Sequence, residues 1–255
     1  MITRTAMASE WIKLRSVRST YLIVAFAVVA ALGFAALSYN SVPARSAQSA
    51  ADLARFDPVR EGYSGGFYLT VLALGALGTM AMGSEYRTRS ILPTLTATPR
   101  RRVVFTAKCV LVGAIALVIG EITSVAVFFL GQAILSGKDL NVALTDTGVA
   151  RAVLSAGAFL AVFTLVGSAL GALVRHTAGA IAALFGLFFV APMVAEIVSE
   201  GAKKWTLAAA FESLTSTEAV LRNDWPTPST AVIVCLAYVI VLTAAAGAAL
   251  AKRDF

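Results

Sequence analysis

Residues 103–135 read VVFTAKCVLVGAIALVIGEITSVAVFFLGQAIL, thirty-three positions in which Lys108 and Glu121 are the only charges. A helix of that length rises about 50 Å at about 1.5 Å per residue, and about 20 apolar residues already cross about 30 Å of hydrocarbon. To bury such a helix in a water-soluble domain, the rest of the chain would have to supply a polar shell. It cannot: of 255 residues, 58% are hydrophobic and 14% charged, against about 45–50% and about 25% in soluble domains. The mean hydropathy is +0.82. Lipid is the solvent implied, and the class implied is an all-α integral membrane protein. The run exceeds one straight crossing, so its first turns, with Lys108, are expected in the headgroup region with the lysine snorkelling outward.

Five more apolar runs flank this one: Tyr21–Leu37, Gly65–Gly83, Arg151–Val174, Ala178–Val198 and Thr230–Ala251. The expected architecture is a six-helix transmembrane bundle, one transmembrane domain over 1–255. Only Arg175, His176 and Thr177 separate the fourth and fifth runs, which predicts a tight hairpin of antiparallel neighbours. The first run follows Arg4, Lys13, Arg15 and Arg18 and ends near Ala36-Leu37-Ser38, as a cleaved leader would. It is longer than the apolar core of a signal peptide, and five further spans follow, so it reads as a span.

The loops set the orientation. Thirteen Lys and Arg residues fall on the side holding both termini, the 84–102 segment with Lys108, and Arg175; eight fall on the other side, mixed with acids. An excess of basic residues marks the cytoplasmic side. Both termini are therefore expected inside, in the cytoplasmic membrane. The formal charge of +7 is then an orientation signal and not the footprint of nucleic acid, which is not an expected partner. Cys109 and Cys235 sit in apolar runs without a CxxC pair, and His176 is the one histidine, so neither a disulfide framework nor a metal site is indicated.

Gly75, Thr79 and Gly83 recur every fourth residue in the second span, and Gly167 and Gly171 form GxxxG in the fourth. Such faces let helix backbones approach closely. They serve either ordinary packing within one bundle or a dimer seam, and packing is the plainer use. Glu121 is the one acid well inside a span. An unpaired charge at the bilayer centre costs about 2.5–3.5 kcal/mol on insertion scales, so it faces a cavity or a partner. Two roles stay open, a substrate or proton site and a carboxyl that packs two helices; the second is the simpler.

Four segments are neither spans nor plain loops. Met7, Trp11 and Leu14 recur at helical spacing in Arg4–Arg18, which suits a basic helix lying at the cytoplasmic interface, although a charged flank of the first span has the same composition. In 84–102, Ser90 is an N-cap candidate, Pro93 falls in the first turn, and Pro99 stops the helix after Thr98. A helix of about two turns is not stable alone, and Ile91, Leu92 and Leu95 need a surface to bury against. That makes the segment a docking element for a soluble partner, or a basic loop resting on anionic lipid. Residues 200–228 carry Trp205, Phe211, Leu214 and Trp225 among polar residues, the composition of one or two short amphipathic helices capping the outer end. The 38–64 loop is polar and either partly disordered or substrate-facing.

This layout resembles the permease subunits of ABC-2 type transporters. The residues carrying the resemblance are Ser9-Glu10-Trp11-Ile12-Lys13-Leu14-Arg15 before the first span, Glu85-Tyr86-Arg87-Thr88 leading into Leu95-x-x-x-Pro99-x-x-Arg102, and Lys108 at the start of the third. The resemblance implies the membrane subunit of an ATP-binding cassette exporter. It further implies that Ile91, Leu92 and Leu95, with Glu85, Arg87 and Arg102, form a coupling helix that docks on an ATPase subunit, and that 201–228 supplies outer gate helices. A second permease copy, identical or a close paralogue, would complete the pathway. Gly137-Lys138 is followed by Asp139 and lacks the upstream glycine of a P-loop. The chain is thus not expected to be an enzyme, and ATP and Mg belong on the partner ATPase. An ion- or proton-coupled carrier using Glu121 is the alternative, but residues 1–135 and 136–255 show none of the internal repetition common in such carriers. A mostly apolar bundle suits lipidic or amphipathic cargo, and suits equally a pathway hidden at a dimer seam.

Overall fold

A computed structural model describes the backbone of residues 11–12, 18–87, 101–199, 201–217 and 225–252. Every regular element among them is helical: α1 (Arg18–Ser41), α2 (Ala50–Arg55), α3 (Arg60–Tyr63), α4 (Gly66–Arg87), α5 (Arg101–Ser136), α6 (Val149–Val174), α7 (Thr177–Val198), α8 (Leu207–Thr215) and α9 (Pro228–Lys252). Six of these (α1, α4, α5, α6, α7 and α9) are long and apolar enough to cross a membrane. They extend a few residues past the apolar runs at most ends, because a helix continues into the headgroup region where polar side chains no longer need hydrocarbon.

α6 is the central helix. It packs against α4, α5 and α9, while α1 leans on α4 and α5, and α7 on α4 and α6. Small residues make this possible. Gly167 lies against the Gly75 carbonyl, Gly171 against Thr79, Gly78 against the Thr164 carbonyl and Gly120 against the Gly157 carbonyl, and a Cβ at any of the four would overlap backbone. The small-residue faces of the second and fourth spans are therefore used inside one bundle. The hydroxyls between them are satisfied within α6: Thr164 donates to the Leu160 carbonyl at 2.7 Å, and Ser168 to the Thr164 carbonyl at 2.9 Å, the back-bonding that lets a hydroxyl sit in an apolar helix.

Two details depart from the sequence reading. Lys108 does not snorkel outward. It is 4% exposed, and its Nζ donates to the Ala81 carbonyl of α4 at 3.1 Å, a backbone oxygen that accepts the ammonium inside the bundle. α7 is not a uniform helix either. Pro192 has no N–H to return, and a π-helical turn at Gly186–Val190 absorbs the mismatch, with the Ala191 N–H bonding back to Gly186. Such turns re-satisfy backbone groups that a proline frees. The α6–α7 turn is tight, as its three residues predict: Arg175 takes the left-handed conformation at φ 58°, and His176 Nδ1 caps α7 by accepting from the Gly179 N–H at 3.1 Å.

At the end of the bundle that holds 42–65, 137–148, 201–217 and 225–227, here called the lid end, connecting segments tie to one another. Lys138 Nζ donates to the carbonyls of Tyr39, Asn40 and Val42 at 2.8, 2.9 and 2.5 Å. These are carbonyls at the α1 C-terminus that lack helical partners, where a cation also meets the negative end of the helix dipole. A Lys138→Met variant is expected to lose about 1–2 kcal/mol by analogy with buried helix-terminal cations, read as a lower midpoint in a detergent unfolding titration; an unchanged midpoint would show that water replaces the ammonium at no cost.

Candidate functional site

The lid is built from the residues between α1 and α4. Ser49 and Asp52 form a capping box that starts α2, with the Asp52 N–H donating to Ser49 Oγ at 3.2 Å, and the hydroxyl's own hydrogen bond to the exposed Asp52 carboxyl holds that group below its ordinary value. The segment 38–64 is thus ordered and helical over much of its length, not loose. Asp57 follows. Its Oδ1 accepts the N–H groups of Val59 and Arg60 at 3.0 and 3.1 Å, capping the short helix α3. Its Oδ2 accepts the N–H and hydroxyl of Thr217 at 2.7 and 3.0 Å. One carboxylate, 5% exposed, therefore joins the α1–α4 connection to the end of the α8 segment.

A second tie runs beside it. Arg60 Nη2 and Nε reach Glu212 Oε2 of α8 at 2.6 and 2.8 Å, the other carboxylate oxygen accepts the Tyr68 hydroxyl of α4, and the guanidinium stacks over the Trp225 ring at 4.9 Å. Arg151 of α6 donates to the Ser216 carbonyl at 2.7 Å, closing the C-terminal end of α8. Below this polar layer, Tyr63 donates to the Ser124 carbonyl of α5 at 3.1 Å, and Ser124 Oγ donates to the Val153 carbonyl of α6 at 2.6 Å. Burial pushes the Tyr63 phenol above its ordinary value and also raises the Glu61 carboxyl, which Arg60 opposes.

α8 is a short helix of the kind expected in 200–228, and it seats more deeply than a cap requires. Leu207, Ala210, Phe211, Ser213 and Leu214 are all buried, and Phe211 stacks with Phe67 and packs on Phe159 at 5.8 and 4.9 Å between ring centroids. α8 is a plug seated in the bundle's lid end, its apolar side on an aromatic layer and its one acid paired with Arg60. The layer extends through Phe188 of the π-helical turn, 5.1 Å from Phe163.

The sequence-predicted site residues fall elsewhere. Glu85 and Arg87 stand on the last turn of α4 and Arg102 on the first turn of α5, so these helices bracket the proposed coupling segment at the end opposite the lid. Ile91, Leu92 and Leu95 lie outside the described residues. Of the interfacial helix before the first span, Trp11 and Ile12 are described, both helical and exposed. Glu121 lies against Gly157 of α6, where an added Cβ would meet its Oε2 at 2.7 Å; the contact packs α5 on α6, and that Oε2 accepts no hydrogen bond among the described residues.

The lid network escaped the sequence reading. Arg60 and Glu212 are 152 residues apart, and each reads alone as a loop charge. One local signal was available: Asp57-Pro58 is a turn-forming pair, and the Asp57 carboxylate accepts the N–H groups of Val59 and Arg60 at the start of α3.

Chemically, this arrangement holds two chain segments together by reversible hydrogen bonds over a hydrophobic plug. That suits a closure at one end of a pathway. Residues 6–193 match the family described as ABC-2 family transporter protein, well over half of the 255-residue chain. No curated protein matches it. Six membrane-crossing helices and the family match agree, and the chain belongs to the ABC-2 transporter family as a multi-pass membrane permease.

Proposed function

We propose that this permease is the membrane subunit of an ATP-driven exporter in the cytoplasmic membrane, with both termini and the 84–102 segment on the cytoplasmic side. The family match over residues 6–193 carries the reading. ATP and Mg are held by a separate ATP-binding cassette subunit, which docks on Ile91, Leu92 and Leu95 with Glu85, Arg87 and Arg102 around them. A second permease, a copy of this chain or a close paralogue, forms the other half of the pathway. The energetic logic is rigid-body coupling. Nucleotide-driven closure of two ATPase subunits moves the coupling segments, and α4 and α5, which bracket each segment, carry the shift toward the lid. α4 bears Tyr68 near its start and α5 bears Ser124 within its span, and both side chains bond residues of the lid. In this reading the resting state is closed on the outer side by α8.

The docking segment is testable directly. Leu95→Asp puts a charge where an apolar side chain docks, and burying an unpaired carboxylate is costly enough to release the ATPase while the permease stays inserted. The expected result is a permease that purifies from membranes in normal yield without its ATPase. Undiminished co-purification of the Leu95→Asp permease with the ATPase refutes the docking assignment.

A further inference from the structure

At the lid end a cavity of about 400 Å3 opens between the end of α1 and the short helices α2 and α3. Ser41, Gln48, Arg55, Phe56 and Glu61 are among its lining residues, and its size falls within the roughly 300–1,000 Å3 of ligand pockets. Two opposite charges share it without pairing. The Glu61 carboxyl belongs to a half-buried residue and accepts no hydrogen bond among the described residues. Burial raises it, and the neighbouring guanidinium of Arg60 is spent on Glu212. Arg55 is exposed, and its guanidinium forms no ion pair among the described residues. Asp52 also lines the cavity, but its carboxyl is held by the Ser49 N–H and hydroxyl at 3.3 and 2.6 Å.

The position of the cavity along the bundle narrows what can fill it. α1 has 24 residues and rises about 36 Å at about 1.5 Å per residue, more than the about 30 Å of hydrocarbon it crosses. Ser41, its last residue, therefore stands at headgroup depth. Below it on α1, Leu37 and Phe34 are 67% and 45% exposed. Residues four and seven apart share a helix face, so an open apolar stripe leads up α1 into the polar cavity.

We infer that the cavity binds the headgroup of a phospholipid bearing a primary amine, with its ammonium at Glu61, its phosphate at Arg55 and an acyl chain along Leu37 and Phe34. Each part of the occupant answers one observation. An ammonium brings N–H donors to a carboxylate that has none, whereas a trimethylated nitrogen has no N–H to give. A phosphate diester gives Arg55 the planar pair of oxygens that a guanidinium binds best. A headgroup with phosphate and no amine would leave Glu61 unpaired and set a second anion beside it. A water-soluble zwitterion would satisfy both charges and gain nothing from the apolar stripe. The inference concerns binding by the permease alone, and it depends neither on the ATPase docking nor on which side of the membrane the lid faces.

The test uses the full chain in non-ionic detergent, with phosphatidylethanolamine carrying a fluorophore on one acyl chain as probe and unlabelled lipids of the same chains as competitors. Saturable binding is expected, displaced by phosphatidylethanolamine at least about tenfold more effectively than by phosphatidylcholine or phosphatidylglycerol. Free phosphoethanolamine at the same concentration is expected to leave the probe bound. Glu61→Gln and Arg55→Gln are each expected to weaken binding about tenfold or more, and neither removes a hydrogen bond that the fold uses. Ala47→Trp places a ring in the cavity from an exposed wall position and is expected to abolish binding while both charges remain. Absence of saturable binding overturns the inference, as does equal displacement by phosphatidylcholine or phosphatidylglycerol, which would show an unselective lipid belt. Equal displacement by free phosphoethanolamine overturns the lipid assignment in favour of a soluble zwitterion. If Glu61→Gln does not yield monodisperse protein, Ala47→Trp decides: undiminished binding to it overturns the site.

Discussion

An Asp57→Ala permease is expected to be less stable than the wild type by about 3–5 kcal/mol, the scale of removing one partner from a buried charged network. Asp57 accepts four hydrogen bonds, three of them from backbone N–H groups on two segments distant in sequence. Alanine leaves those donors buried without acceptors, and each orphaned donor costs about 1–3 kcal/mol. Asparagine is nearly isosteric and separates charge from geometry. Its oxygen can serve Val59 and Arg60, but its amide then points two hydrogens at the Thr217 N–H, so Asp57→Asn is expected to keep α3 capped and still lose the tie to 217. Unfolding can be followed in mixed micelles by reaction of Cys109 and Cys235 with a thiol dye, since both are buried and free. Both variants should unfold at lower denaturing-detergent fraction, alanine more than asparagine. Stability within about 0.5 kcal/mol of wild type for both, the range of ordinary surface substitutions, would mean that the lid is not held by this carboxylate.

How far such a network could be foreseen follows from the physics of each element. The spans were legible because hydrocarbon thickness imposes a length and a composition on every crossing, and each run can be judged without knowing its neighbours. The tight turn at 175–177 was legible for the same reason, three residues between two spans admitting little else. The Gly75 and Gly167 faces announced close approach, though not which helix each would meet. What remained hidden are the pairings. Arg60 and Glu212 lie 152 residues apart, and an isolated arginine in a loop looks like an orientation charge whatever its fate. Lys108 misled in the same way: as a lone residue near an interface it should snorkel, and the Ala81 carbonyl that captures it belongs to another helix. The composition of 200–228 marks a short capping helix without showing how deeply it seats: Glu212 is paired with Arg60 and Ser213 donates to the Pro226 carbonyl at 2.6 Å, which permits burial. For Glu121, depth and isolation were plain in the sequence; Gly157, against which it packs, was not.

Gly167→Leu is expected to cause the largest loss of any single substitution in the spans. A side chain at 167 is aimed at the Gly75 carbonyl, a backbone group that no rotamer change can move aside. Accommodation therefore requires α4 and α6 to separate along a face where Gly78 and Gly171 make the same approach. Without a hydrophobic effect between helices in lipid, close packing is a main source of association, so a separation of that kind forfeits contacts along the whole face. Overpacking commonly costs about 1–3 kcal/mol, and a backbone obstacle places this case at or above the upper end, about 3 kcal/mol or more. Gly33→Leu is the control: nothing lies within 4 Å of a Cβ there, and the position faces outward on α1, so a change within about 0.5 kcal/mol is expected. Intrinsic helix propensity would favour leucine at both sites by a similar amount, which makes the difference between them a direct measure of the α4–α6 contact. Had the small-residue faces formed a seam between two permeases, Gly167→Leu would alter oligomeric state in gentle detergent and leave monomer unfolding unchanged. The intramolecular contact predicts the reverse, an early unfolding transition with no prior change in oligomeric state, and equal midpoints for the two leucine variants would contradict it.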